Sequence, residues 1–229
     1  MSLPTGTVTF LFTDIAGSTQ RWEHDRAAMS AALDRHNAIL ERAIAAHGGH
    51  VFHTAGDAFC AAFADTAGAL AAAVDAQRAL ALERWDEVAA GFEPLRVRMG
   101  IHTGLVELKD GDYFGRPVNR VARLMAAGHG GQVLVSLATQ QLVRDALPAG
   151  RTLVDLGVHR LKDLEHTEHI FRLVADGFPG VDTPPDTAER LAASDRPALE
   201  AVVADAECPY RGLHTGKILG RRAGHHGLV

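Results

Sequence analysis

The chain has 229 residues, 47% hydrophobic and 22% charged, with a net charge of −5. This is an ordinary globular composition with room for one ample core but not for three domains. No basic excess points to a nucleic-acid partner. No run reaches the ~18 apolar residues of a membrane span, and the N-terminus lacks the basic start and apolar core of a signal peptide. The expectation is a soluble, cytoplasmic protein. Two cysteines, Cys60 and Cys208, make no disulfide framework, and the 13 histidines show no zinc-ligand spacing.

Residues 7–13, rich in β-branched and aromatic side chains, predict a buried strand. Asp14 follows, then a small-residue turn, with Ser18 or Thr19 as cap of a long helix over 18–47. Trp22, Met29, Leu33, Ile39, Leu40 and Ile44 supply its apolar face, and Gly48-Gly49 stop it. An Asp at a strand end holds a hard cation, and amides at a helix start hold phosphate. The same residues also suit a strand that ends on Asp beside an ordinary cap. Strands are predicted near 50–54 and 57–63, around a tight Ala55-Gly56 turn with Asp57 just past it. Turn chemistry alone tolerates an Asp there. Facing Asp14 across a ladder, however, Asp57 would repel it unless a cation bridged the two.

A helix over 65–85 and a strand over 95–102 complete the order βαββαβ. This is the ferredoxin-like arrangement, with two helices on one face of an antiparallel sheet and the other face free. Further along come a strand at 105–109, a helix near 116–127 closed by glycines, a strand at 132–136, a short helix at 137–146, and strands at 152–161 and 168–174. From Asp176 prolines multiply and periodicity fades. The expected division is a domain over 5–175 and a linker or largely disordered tail over 176–229, with one weak helix near 186–193. On the 116–127 helix, Asn119 and Arg123 share a face at i, i+4. An amide beside a guanidinium can orient a sugar and stabilise phosphorane-like charge, although a solvated polar face has the same spacing. Arg120, on a neighbouring face, reads as a bystander.

Four motifs now stand in order: Phe12-Thr13-Asp14-Ile15, Gly56-Asp57, Arg98 to Gly104, and Asp112 to Arg123. Together, over about residues 5–174, they resemble the catalytic domain of class III nucleotidyl cyclases, the adenylate and guanylate cyclases, in their soluble bacterial form. The resemblance implies an α/β (α+β) fold: a ferredoxin-like βαββαβ palm-type cyclase fold with additional strands and helices. It implies that Asp14, Asp57 and the Ile15 carbonyl bind two divalent cations, Mg²⁺ or Mn²⁺. The backbone of Ala16, Gly17, Ser18 and Thr19 would cradle phosphate, Arg98 would contact the triphosphate, and Lys162 would meet the terminal phosphates. Asn119 would position the ribose, and Arg123 would stabilise charge developing at the α-phosphate. Such sites form between two protomers, which implies a homodimer; the family resemblance implies ATP as substrate, and the composition gives no reason to expect a nucleic-acid or membrane partner.

Asp112 matches the acceptor for the adenine amino group. Its usual lysine partner is replaced here by His53, a shorter donor that is often uncharged. The expected activity is therefore ATP to cyclic AMP and pyrophosphate. The alternative is a catalytically weak or inactive cyclase-like module that binds nucleotide, dimerises and regulates a partner. A palm-type nucleotidyl transferase shares the sheet and the paired carboxylates but would need a basic channel. The tail segment Cys208 to Leu213 resembles the opening of ATPase domains that follow such cyclases in multidomain regulators.

Overall fold

A computed structural model describes residues 3–109, 112–178, 181–187 and 189–190. The elements run β1 (Gly6–Ile15), α1 (Ser18–His24), α2 (Arg26–Ala46), β2 (His50–Ala55), β3 (Ala58–Phe63), α3 (Thr66–Leu82), β4 (Val97–Lys109), β5 (Asp112–Phe114), α4 (Arg116–Ala126), β6 (Val133–Ser136), α5 (Leu137–Val143), β7 (Arg151–Arg160), β8 (Glu168–Ala175) and β9 (Glu189–Arg190). The strands form one sheet in the order β2-β3-β1-β4-β6-β8-β7-β9, with β5 paired to β4 as a hairpin. The antiparallel quartet β2-β3-β1-β4 is the ferredoxin-like core, and β6 extends it parallel to β4. The α/β (α+β) class is as the sequence implied. No helix among the described residues is long and apolar enough to cross a membrane.

Alternation along β1 and β4 sorts the two faces. Leu11 and Ile15 of β1, with Val97, Met99 and Ile101 of β4, bury against α2 and α3 in the main core. Val8, Phe10 and Phe12 of β1 lie in a second cluster with Tyr113 of β5 and Val121 of α4. The face expected to be free is thus covered by α4. That helix reaches the sheet because β4 presents glycine there. A Cβ on Gly100 would stand 2.7 Å from the Met125 amide nitrogen, and one on Gly104 would stand 2.7 Å from Pro117 Cγ.

Several boundaries differ from the predicted ones for local reasons. The helix expected over 18–47 is two helices, because Asp25 adopts an extended backbone and caps α2 by accepting from the Ala28 amide. Neither Ser18 nor Thr19 caps α1; Gly17, at φ 72°, holds that position with no side-chain bond. The two-residue turn is Gly56-Asp57 rather than Ala55-Gly56, since Ala55 pairs with Ala58. Asp57 therefore sits in the turn itself. The strands expected at 95–102 and 105–109 are one, β4, which continues through Gly104. In place of a weak helix near 186–193, Glu189 and Arg190 pair with β7.

Residues 181–187 are held by polar contacts to the sheet region. Buried Gln132 donates to the carbonyls of Val181 and Thr183, His129 Nε2 lies 2.9 Å from the Pro184 carbonyl, and the Asp186 amide donates to the Ala127 carbonyl. The tail beyond 190, with the segment at 208–213, lies outside the described residues.

Candidate active site

Asp14 lies inside β1, because that strand runs on to Ile15. It continues the row of Phe10 and Phe12 and pairs across the ladder with Arg98 of β4. The Arg98 guanidinium grips Asp14 Oδ2 from Nε at 2.8 Å and from Nη2 at 2.5 Å. It also reaches the Ala126 carbonyl at 3.4 Å. Asp57, carried to the end of β1 by the β2–β3 turn, accepts a hydrogen bond from the Ile15 amide at 3.1 Å. The two carboxylates thus converge on one strand end. Within electrostatic reach of both is His36 of α2, fully buried against Phe59, with Nδ1 3.0 Å from Asn37 Oδ1 and Nε2 without a partner. Burial lowers its pKa, while Asn37 and the charges of Asp57 and Asp14 pull it back up. Nothing in the sequence periodicity marked His36.

Among the described residues no group of three or more His, Cys, Asp and Glu is placed to hold a metal. Two carboxylates with a nearby backbone carbonyl nonetheless suit a small hard cation. Such an ion keeps several waters and binds through one or two carboxylates plus substrate phosphates. The chemistry of these donors fits Mg²⁺ or Mn²⁺, which Asp14 and Asp57 could hold together with the Ile15 carbonyl. In the adjacent turn, the Ala16 amide is committed to the Arg96 carbonyl at 2.9 Å, so it is not available to cradle phosphate. Ser18 and Thr19 begin α1, where amides have no intrahelical partner.

The second group of residues sits on α4. Asn119, Arg120 and Arg123 line a cavity of about 460 Å³ with Arg116, Asp163 and His166. Neither Asp14 nor Asp57 lines it. Arg123 Nη2 is ion-paired to Asp163 at 3.0 Å. Lys162, the preceding residue, shares a neighbouring cavity of about 300 Å³ with Arg123 and Asp186. Arg120 is no bystander: its Nε meets the buried Glu168 carboxylate at 3.2 Å and ties α4 to β8. Desolvation raises the Glu168 pKa, opposed first by Arg120 and then by the Leu137 amide and His169.

A third cluster forms on the α4-covered face of the sheet. A bulge between Val51 and His53 leaves Phe52 unpaired and sets His53 opposite Cys60. The Phe52 ring packs edge-on against Tyr113, with centroids 4.8 Å apart, and Asp112 precedes Tyr113 at the start of β5. The Cys60 thiol is pushed up to about 11, chiefly by burial and then by the Asp112 charge. Asp112 thus lies within electrostatic reach of Cys60, the residue paired with His53 across the ladder. Nothing in the sequence marked this alignment, since the bulge that sets Cys60 opposite His53 has no glycine to announce it.

Two carboxylates at the end of the interior strand β1, with an Asn–Arg face on a separate helix, are an arrangement suited to nucleotide chemistry on a palm-type sheet. Comparison with known proteins narrows the class. Residues 2–169 match the adenylate and guanylate cyclase catalytic domain, and the chain belongs to that family. It is 40% identical over 186 residues to an uncharacterised protein of Mycobacterium tuberculosis, covering 79% of this chain and 61% of that one. The chain thus spans about three fifths of that relative's length. It is 35% identical over 154 residues to an adenylate cyclase of Lachancea kluyveri, covering 58% of this chain and 8% of the yeast protein. Among solved structures, a Trypanosoma brucei adenylate cyclase in its monomeric state superposes with a TM-score of 0.69 at 25% identity, over 81% of this chain and 96% of that one.

Proposed function

We propose that the chain is an adenylate cyclase, converting ATP to 3′,5′-cyclic AMP and pyrophosphate at a homodimer interface. The observation that carries the reading is the separation of two half-sites within one chain. Asp14 and Asp57 converge at the end of β1, whereas Asn119 and Arg123 line a cavity on α4 that excludes them. A second copy related by a twofold axis would bring one chain's carboxylates to the other's α4. The cations, when bound, would lower the pKa of the ribose 3′-hydroxyl and hold the triphosphate. Asp14 and Asp57 would anchor them. Asn119 would orient the ribose, Arg123 would stabilise charge growing on the α-phosphate, and Arg98 and Lys162 would contact the phosphates. His53 and Asp112 would read the adenine edge.

The test is direct. Purified protein with ATP and Mn²⁺ is expected to form cyclic AMP. Mixing inactive Asp14→Ala and Arg123→Ala chains is expected to restore turnover, because one of the two sites in a mixed dimer carries neither defect. No recovery after confirmed subunit exchange would overturn the shared site. His53, where the family's adenylate cyclases usually carry lysine, favours a second reading, a nucleotide-binding dimerisation module with little or no turnover. Nucleotide binding without cyclic AMP formation would select it.

A further inference from the structure

Asp163 stands apart in its backbone. Its φ is 58°, and it is the one non-glycine with positive φ among the described residues. That left-handed conformation costs Asp less than most residues with a Cβ, but it is still uncommon outside glycine, and such conformations gather at switching elements. Its side chain grips Arg123, the arginine assigned above to the developing phosphate charge. The pair is exposed, at 43% for Arg123 and 56% for Asp163. Exposed pairs are weak and screened by salt. The same turn carries Lys162, whose cation lines a cavity with Arg123.

We propose that Asp163 is an intrachain competitor for the substrate phosphates, occupying Arg123 until a polyphosphate displaces it. The inference rests on the role given to Arg123 under the proposed function. An arginine that stabilises phosphate charge must present free N–H groups, and Arg123 has one turned to a carboxylate. A triphosphate carries more charge than one carboxylate and attracts Lys162 as well. Entry of substrate would therefore draw the turn by Lys162, release Arg123 and relax the backbone at Asp163. The weakness of the exposed pair makes this exchange reversible.

The experiment uses the full chain with Mn²⁺ and α,β-methylene-ATP as a non-reacting probe. Asp163→Asn keeps the size and removes the charge; Asp163→Gly also removes the backbone strain. Both are expected to tighten probe binding about two- to fivefold at low salt, in keeping with an exposed ion pair. The gain should shrink in about 0.5 M KCl and vanish in an Arg123→Ala background. Unchanged or weaker binding, or a gain that survives loss of Arg123, would overturn the proposal. So would a fall in kcat for Asp163→Asn, which would make Asp163 a residue that holds Arg123 in its working position. Probe binding without turnover in the wild type would remove the cyclase reading and leave the competition standing. No probe binding in the wild type would remove both.

Discussion

Replacing Gly100 by alanine tests whether the approach of α4 to β4 sets the catalytic geometry. The added Cβ would lie 2.7 Å from the Met125 amide nitrogen and 2.9 Å from its Cα, and these are backbone atoms that no rotamer change can move aside. Bringing the nearer contact to an ordinary 3.4 Å requires α4 to retreat by about 0.7 Å. Overpacking of this kind costs about 1–3 kcal/mol, or a drop in Tm of about 3–10 °C for a domain of this size. Asn119 and Arg123 ride on the same helix. A displacement approaching 1 Å at reacting groups lowers turnover by up to about 100-fold, so kcat for cyclic AMP formation is expected to fall by about 10- to 100-fold. Gly49→Ala is the control. Its Cβ would strike Phe63 and Ile44 in the main core, away from α4. It should lower Tm comparably while the folded protein keeps its kcat. Wild-type kcat in Gly100→Ala, or an equal kcat loss in Gly49→Ala, would refute the reasoning.

Other substitutions probe the remaining parts. Arg120→Met strips buried Glu168 of the first of the influences that hold its raised pKa down. The folded chain already keeps that proton to higher pH than the unfolded chain, so stability falls as pH climbs from the ordinary carboxylate range. Removing Arg120 steepens the fall, and urea titrations should show a loss of about 2–4 kcal/mol at pH 8 that shrinks toward pH 5; a pH-independent loss would contradict this. Asp57→Ala should abolish cyclisation and Mn²⁺ binding while destabilising by only about 1 kcal/mol, the worth of the bond to the Ile15 amide. Retained activity at saturating metal would sink the metal assignment. His53→Lys should raise kcat/KM for ATP by about tenfold, roughly one hydrogen bond to the base. An unchanged ATP-over-GTP preference in His53→Ala would end the base-reading role.

The βαββαβ order was legible because each element carries its own period: β-branched alternation before Asp14, helical apolar spacing from Met29 to Ile44, and glycine or proline at the breaks. Asp14 and Asp57 stood out for the same reason, as polar residues at the edges of apolar runs. What the sequence concealed is mostly tertiary. No periodicity shows that Asp25 interrupts a helix by turning its backbone extended, since the residues on both sides are good helix formers. Gly104 looked like a strand end, but its absent side chain makes room for Pro117. The partner of Arg120 lies 48 positions away at the start of β8, beyond any local pattern.

On the proposed reading the two half-sites of one chain are not independent of each other, and β4 is the reason. Arg98 and Gly100 alternate onto the same face of that strand. Arg98 ties the carboxylate of Asp14 and also donates to Ala126 at the end of α4, while Gly100 sets how closely α4 lies. A change in the charge around Asp14 therefore bears on the same arginine that steadies the helix carrying Asn119 and Arg123. In a twofold dimer of the proposed kind, that helix would serve the opposite site. Each β4 would then link the carboxylates of one site to the ribose and phosphate groups of the other, so the two sites would share a mechanical connection as well as an interface.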